Sequence, residues 1–132
     1  MILGFDPGRD KCGLAVMGRD GKIYYHQVVN SNVVIATIEQ LFVKYSPEIL
    51  VMGDRTTAKT WRQKIIENLD RATAIIMVDE HNSTIEARDR YWQIYPPRGL
   101  SKLIPVGMRL PPRPVDDIVA IVLIERYLQA NT

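Results

Sequence analysis

With 132 residues, 46% hydrophobic and 24% charged, the chain suits one globular domain with a real core; disordered and fibrous classes are excluded, and two ordinary domains would not fit. A net charge of +2 is too small to identify a partner. The single Cys12 excludes an intrachain disulfide and suits a reducing cytoplasm, and no membrane span is expected, because the longest apolar run, Ile118 to Ile124, falls far short of ~20 residues.

Met1 leads into a strand rather than a signal segment. Ile2-Leu3-Gly4-Phe5 is an apolar run ending on Asp6, Pro7-Gly8 is a turn, and a second apolar run returns after Gly13. That pattern predicts strand, tight reversal and neighbouring strand. Asp-Gly at 20–21 then links the second run to Ile23–Val29 as a hairpin, giving an antiparallel meander. Asn30-Ser31-Asn32 offers a cap for a helix whose apolar face carries Val34, Ile35, Ile38, Leu41, Phe42 and Tyr45, as far as Ser46-Pro47. Glu48 to Gly53 reads as a strand buried on both faces and parallel to the first. A helix from about Thr57 would pack Trp61, Ile65, Ile66 and Leu69 inward, and Ala74 to Asp79 reads as another buried strand, reached by a right-handed crossover.

Asp79-Glu80 closes that fifth strand, and Ser83-Thr84-Ile85-Glu86 has the form of a capping box, opening a helix through Ala87, Tyr91, Trp92 and Ile94. Pro96-Pro97 stops it. The segment from Arg98 to Pro114 contains Pro105, Pro111, Pro112 and Pro114, and carries Arg98, Lys102, Arg109 and Arg113 with no acid, so it reads as a mobile basic surface loop. Those four cations either neutralise phosphates or remain solvated. The last helix opens at Val115-Asp116-Asp117, with Ala120, Leu123, Ile124, Tyr127 and Leu128 on its apolar face. Trp61, Tyr91 and Trp92 suit core or helix-face positions better than base-stacking platforms.

Asp6, Glu80 and Asp116 each stand at an element boundary, so three acids far apart in sequence could converge on one edge of a central sheet. Convergent carboxylates suit a hard divalent cation, and paired cations of this kind serve phosphodiester cleavage. Each acid also has a plainer role: Asp6 as a turn residue, Glu80 as a solvated strand-end charge, Asp116 as a cap. Asp117, turned about 100° from Asp116, reads as the capping or dipole acid. Asp54 reads as the N-cap of the following helix rather than a further ligand. His81 is either a proton-transfer group or a surface residue.

The segments Asp6-Pro7-Gly8 with Gly13-Leu14-Ala15-Val16, then Val78-Asp79-Glu80 with Ser83 to Arg88, then Val115-Asp116 with Ala120 to Tyr127, resemble the YqgF/RuvX family of RuvC-like proteins. The resemblance covers nearly the whole chain in order. It implies an α/β, RNase H-like fold with a five-stranded mixed sheet flanked by helices, as a single domain over residues 1–132. It also implies that Asp6, Glu80 and Asp116 are catalytic acids binding Mg²⁺ or Mn²⁺ in a nuclease. The substrate would be a Holliday junction or the precursor of small-subunit ribosomal RNA, and a homodimer would suit a junction cut symmetrically. The chain departs from the family pattern at Gly53-Asp54-Arg55-Thr56-Thr57, at His81 where the family has Arg, and at Arg9 where it has Thr. The competing function is a non-catalytic nucleic-acid-binding module on the same fold. An actin-like nucleotide site, suggested by the Asp-Pro-Gly turn, would need a second domain.

Overall fold

The computed structural model describes residues 1–69, 73–105 and 108–131, and for Ser101 the backbone alone. Strands β1 (Ile2–Asp6), β2 (Lys11–Met17) and β3 (Ile23–Asn30) form the expected antiparallel meander. Strands β4 (Ile49–Gly53) and β5 (Ala74–Val78) add in parallel to β1, giving the order β3-β2-β1-β4-β5. Helices α1 (Val34–Tyr45) and α2 (Ala58–Asn68) cover one face, and α3 (Ser83–Ile94) and α4 (Asp116–Ala130) belong to the other. Among the described residues no helix is long and apolar enough to cross a membrane.

Strand alternation sorts the central side chains between two cores. Leu3, Phe5, Leu14, Val16, Leu50 and Met52 pack under α1 and α2, where the Phe5 and Trp61 rings meet edge to face with centroids 5.5 Å apart. Ile2, Ala15, Met17, Ile49 and Val51 pack under α4. That helix is enclosed over its first two turns, with Ile118 to Ile124 buried on every side, so the single apolar face expected of it gives way to burial all round. Each fully buried branched side chain there contributes about 1.5–3 kcal/mol. At Gly4 the helix backbone comes so close that a Cβ would lie 2.5 Å from the Ala120 carbonyl oxygen.

Several local expectations are corrected. Strand β5 lies at the sheet edge rather than between neighbours, and its Met77 is 37% exposed. Ile66 also faces solvent. Helix α1 has Val33 at its N-cap without a side-chain hydrogen bond, because Ser31 instead donates its hydroxyl to Gly8 O at 2.9 Å. The capping box at 83–86 does not form. Asn82, in the left-handed region at φ 57°, takes the N-cap, Ser83 Oγ is buried without a partner, and Glu86 accepts from Arg126. Thr57 rather than Asp54 is the N-cap of α2. The basic segment holds a short 3-10 helix, Gly99–Leu103; its residues 106 and 107 lie outside the described residues.

Candidate active site

Asp6 closes β1 on the same face as Ile2 and Gly4, because side chains alternate, and so it points towards α4. Its cross-strand partner on β2 is Gly13. On the other side, Phe5 pairs with Met52, which places Gly53 one step further along β4, beside Asp6. A glycine therefore flanks Asp6 on each neighbouring strand. Both positions lack a Cβ because another group occupies the space: the Asp116 backbone lies over Gly13, and the Glu80 carboxylate lies over Gly53. The row Gly13-Asp6-Gly53 thus seats residues from the beginning, middle and end of the chain across three adjacent strands.

The turns that carry these acids are anchored locally. Ser31 Oγ and Cys12 Sγ hold Gly8, the glycine of the Asp-Pro-Gly turn. Arg126 of α4 donates to Asp79 O at 2.8 Å and to His81 O at 2.7 Å, so it grips the peptide on both sides of Glu80. Asp79 and Glu80 point apart as the alternation requires, with Asp79 exposed and Glu80 buried. Asp116, in the first turn of α4, is half-buried. His81 and Asp54 are exposed.

Among the three acids, Asp6 is the one that the other two raise. Asp6 is 3% exposed, and its carboxyl is pushed up to about 7, chiefly by burial; Arg55 opposes this, while Asp116 and Glu80 add to it. Glu80 is raised by burial against the pull of Arg55, with Asp54 and Asp79 raising it further. Asp116 is raised by burial and by Asp117, with Arg55 and Lys11 opposing. Arg55 is felt by all three acids; its Nε pairs with Glu80 Oε1 at 2.9 Å, and its backbone also lowers Glu80 through a hydrogen bond. Asp6 Oδ1 is buried without a hydrogen-bond partner, so it is not bonded to nearby turn amides.

A buried Asp6 oxygen without a partner, raised by Asp116 and Glu80, fits a hard cation, which would satisfy it and relieve that repulsion. Among the described residues no three His, Cys, Asp or Glu side chains already surround one point. Asp6, Glu80 and Asp116 thus border one end of the sheet without forming a ready-made three-ligand cation site.

The second acid of α4 stands in the first turn, where it suits the helix dipole, but it does not cap the helix. Asp117 is 2% exposed; burial would raise its carboxyl, but hydrogen bonds from His26 and Arg113 outweigh this and lower it from its ordinary value. Arg113 consequently faces Asp117, apart from the other loop cations. Arg98 and Lys102 are exposed, and Arg109 donates to Lys102 O at 3.2 Å. Leu100, Leu103, Met108 and Leu110 are exposed on the same segment.

This arrangement of sheet and helices is the RNase H-like α/β fold in its RuvC-like form. The chain is similar to the solved structure of Thermus thermophilus RuvC, with a TM-score of 0.57 and 14% sequence identity over 98% of this chain and 92% of that one. No family model and no curated protein matches the sequence.

Proposed function

We propose that this protein is a divalent-metal-dependent nuclease of the YqgF/RuvX kind, acting in the cytoplasm on phosphodiester bonds of structured nucleic acid. The observation that supports the reading is the Gly13-Asp6-Gly53 row, with the Asp116 backbone over Gly13, the Glu80 carboxylate over Gly53, and both acids raising the Asp6 carboxyl. Asp6, Glu80 and Asp116 would hold Mg²⁺ or Mn²⁺. When bound, the cation supplies an activated water and charge stabilisation for the leaving oxygen. Asp6 must be ionised to serve, and a cation beside it would bring its raised value down. Arg55 partly neutralises the three acids and limits their repulsion. Arg98, Lys102 and Arg109 would neutralise backbone phosphates outside the reacting centre.

The competing reading, a binding module without turnover, draws on Arg55 standing beside Glu80 where a cation would otherwise compensate it. A cleavage panel separates the two. Four-way DNA junction, flap, duplex and precursor ribosomal RNA are incubated with and without Mg²⁺ or Mn²⁺, beside Asp6→Asn and Asp116→Asn. Metal-dependent cutting of one substrate, absent in both variants, supports the nuclease and assigns its substrate. Cutting that persists in the variants, or binding with no cutting under any metal, overturns it. Symmetric cleavage of the junction would further require a two-fold dimer.

A further inference from the structure

The first turn of α4 is held by groups from the far edge of the sheet and from both ends of the basic segment. Asp117 Oδ2 accepts a hydrogen bond from His26 Nδ1 of β3 at 2.6 Å, and Arg113 donates to Oδ1 at 2.9 Å and to Oδ2 at 3.2 Å. With Nδ1–H donating to the carboxylate, His26 Nε2 is left to accept the Tyr95 hydroxyl at 3.1 Å. The Arg113 guanidinium lies 5.3 and 5.9 Å from the ring centroids of Tyr91 and Tyr95, and Nη1 also donates to Pro114 O at 2.7 Å. Tyr95 stands just before the basic segment and Arg113 near its end, so Arg113 reaches the Asp117 carboxylate directly and Tyr95 reaches it through His26.

We propose that His26, Tyr95 and Arg113 are positioning residues that clamp Asp117, thereby fixing the first turn of α4 so that the adjacent Asp116 stays on Gly13 beside Asp6. That Asp116 works there rests on the nuclease reading; the clamp itself does not. Three observations carry it. First, α4 has Val115 at its N-cap with no side-chain hydrogen bond, so the conventional means of fixing a helix start is missing. Second, Asp117 is an almost fully buried charge whose carboxylate receives charge-assisted bonds from two elements outside α4, and such a group tolerates little displacement. Third, the Asp116 backbone is seated on Gly13 so closely that its place on the sheet is set by where this turn sits. Arg113 on this account acts through Asp117 and not on phosphate. Its planar fork bonds both carboxylate oxygens and lies against tyrosine rings, neither of which a lysine reproduces.

The test compares wild type with Arg113→Lys, which keeps the charge, and with Tyr95→Phe, which removes one hydroxyl and preserves the ring. Amide exchange of the first turn of α4, read at Val119 whose N–H bonds Val115 O, should accelerate about tenfold in Arg113→Lys and less in Tyr95→Phe. On a cleavable substrate, single-turnover cleavage by Arg113→Lys should fall at least about tenfold while nucleic-acid affinity stays within about twofold and its salt dependence is unchanged. Unchanged exchange in both variants overturns the clamp. So does Arg113→Ala that weakens binding and lowers the salt slope by about one, with Val119 exchange as in wild type, since Arg113 would then be a phosphate contact. If wild type cleaves nothing, the nuclease reading fails while exchange at Val119 still decides the clamp.

Discussion

Replacing Asp6 by Asn should stabilise the metal-free protein at alkaline pH. The Asp6 carboxyl moves from 3.8 in the unfolded chain to about 7 in the fold. A folded value above the unfolded one means that the native state keeps a proton which the unfolded chain has released. Stability contributed by that proton is complete below about pH 4, declines as pH rises, and is lost above about pH 7. At 1.36 kcal/mol per pH unit, the penalty at pH 8 is at most about 4 kcal/mol. Asn does not ionise and escapes it, but its amide brings donors that cost about 1–2 kcal/mol if left without partners. The expected net gain is about 2 kcal/mol at pH 8, or roughly 8 °C in Tm, disappearing towards pH 4. Thermal unfolding of wild type and Asp6→Asn in EDTA at pH 4, 6 and 8 measures it. Mg²⁺ added at pH 8 should then raise the Tm of wild type and leave the variant unchanged. A variant less stable than wild type at every pH, or an advantage that does not grow with pH, would refute the placement of Asp6 among buried like charges.

Gly13→Ala should cost about 3 kcal/mol in urea unfolding, because its Cβ collides with the Asp116 backbone rather than with a movable side chain end; a loss within error of zero would mean that α4 does not start over β2. Arg55→Ala removes the cation that pulls Asp6, Glu80 and Asp116 down, so their raised values rise further and the acid limb of Mg²⁺-dependent cleavage moves to higher pH; a limb that stays or moves lower contradicts that role. Replacing Arg98, Lys102 and Arg109 together by Ala should flatten the plot of log affinity against log salt by about two to three, and an unchanged slope would place the bound backbone elsewhere.

Much of this fold was legible because its strands and helices differ in hydrophobic period. Ile2–Asp6, the Asp-Gly hairpin and the helix ending at Ser46-Pro47 each carry a pattern that tertiary packing reinforces. Strand β5 was misjudged because an apolar run does not say whether a strand has neighbours on both sides; strand order decides that. Ser83 and Glu86 fit a capping box locally, yet Asn82 takes the cap and Glu86 is drawn to Arg126. The burial of Asp117 was not legible because a helix packed on one side offers one buried face, whereas α4 is enclosed and buries successive residues. His26, Tyr95 and Arg126 carry no local signal for their roles, since each acts on a residue far away in sequence. A readable signal did exist for the approach of α4 and of Glu80 to the end of β1. Glycine within an apolar strand run, at Gly13 and Gly53, marks close approach by another group, and here those groups bear Asp116 and Glu80.

The most direct measurement is Mn²⁺ affinity, by calorimetry or electron paramagnetic resonance, in wild type and in Asp6→Asn, Glu80→Gln and Asp116→Asn singly. Shared coordination predicts that wild type binds and that each substitution weakens binding at least about tenfold, because a hard cation loses a carboxylate in every case. Wild-type affinity retained in any one of the three, or no Mn²⁺ binding by wild type, would contradict it.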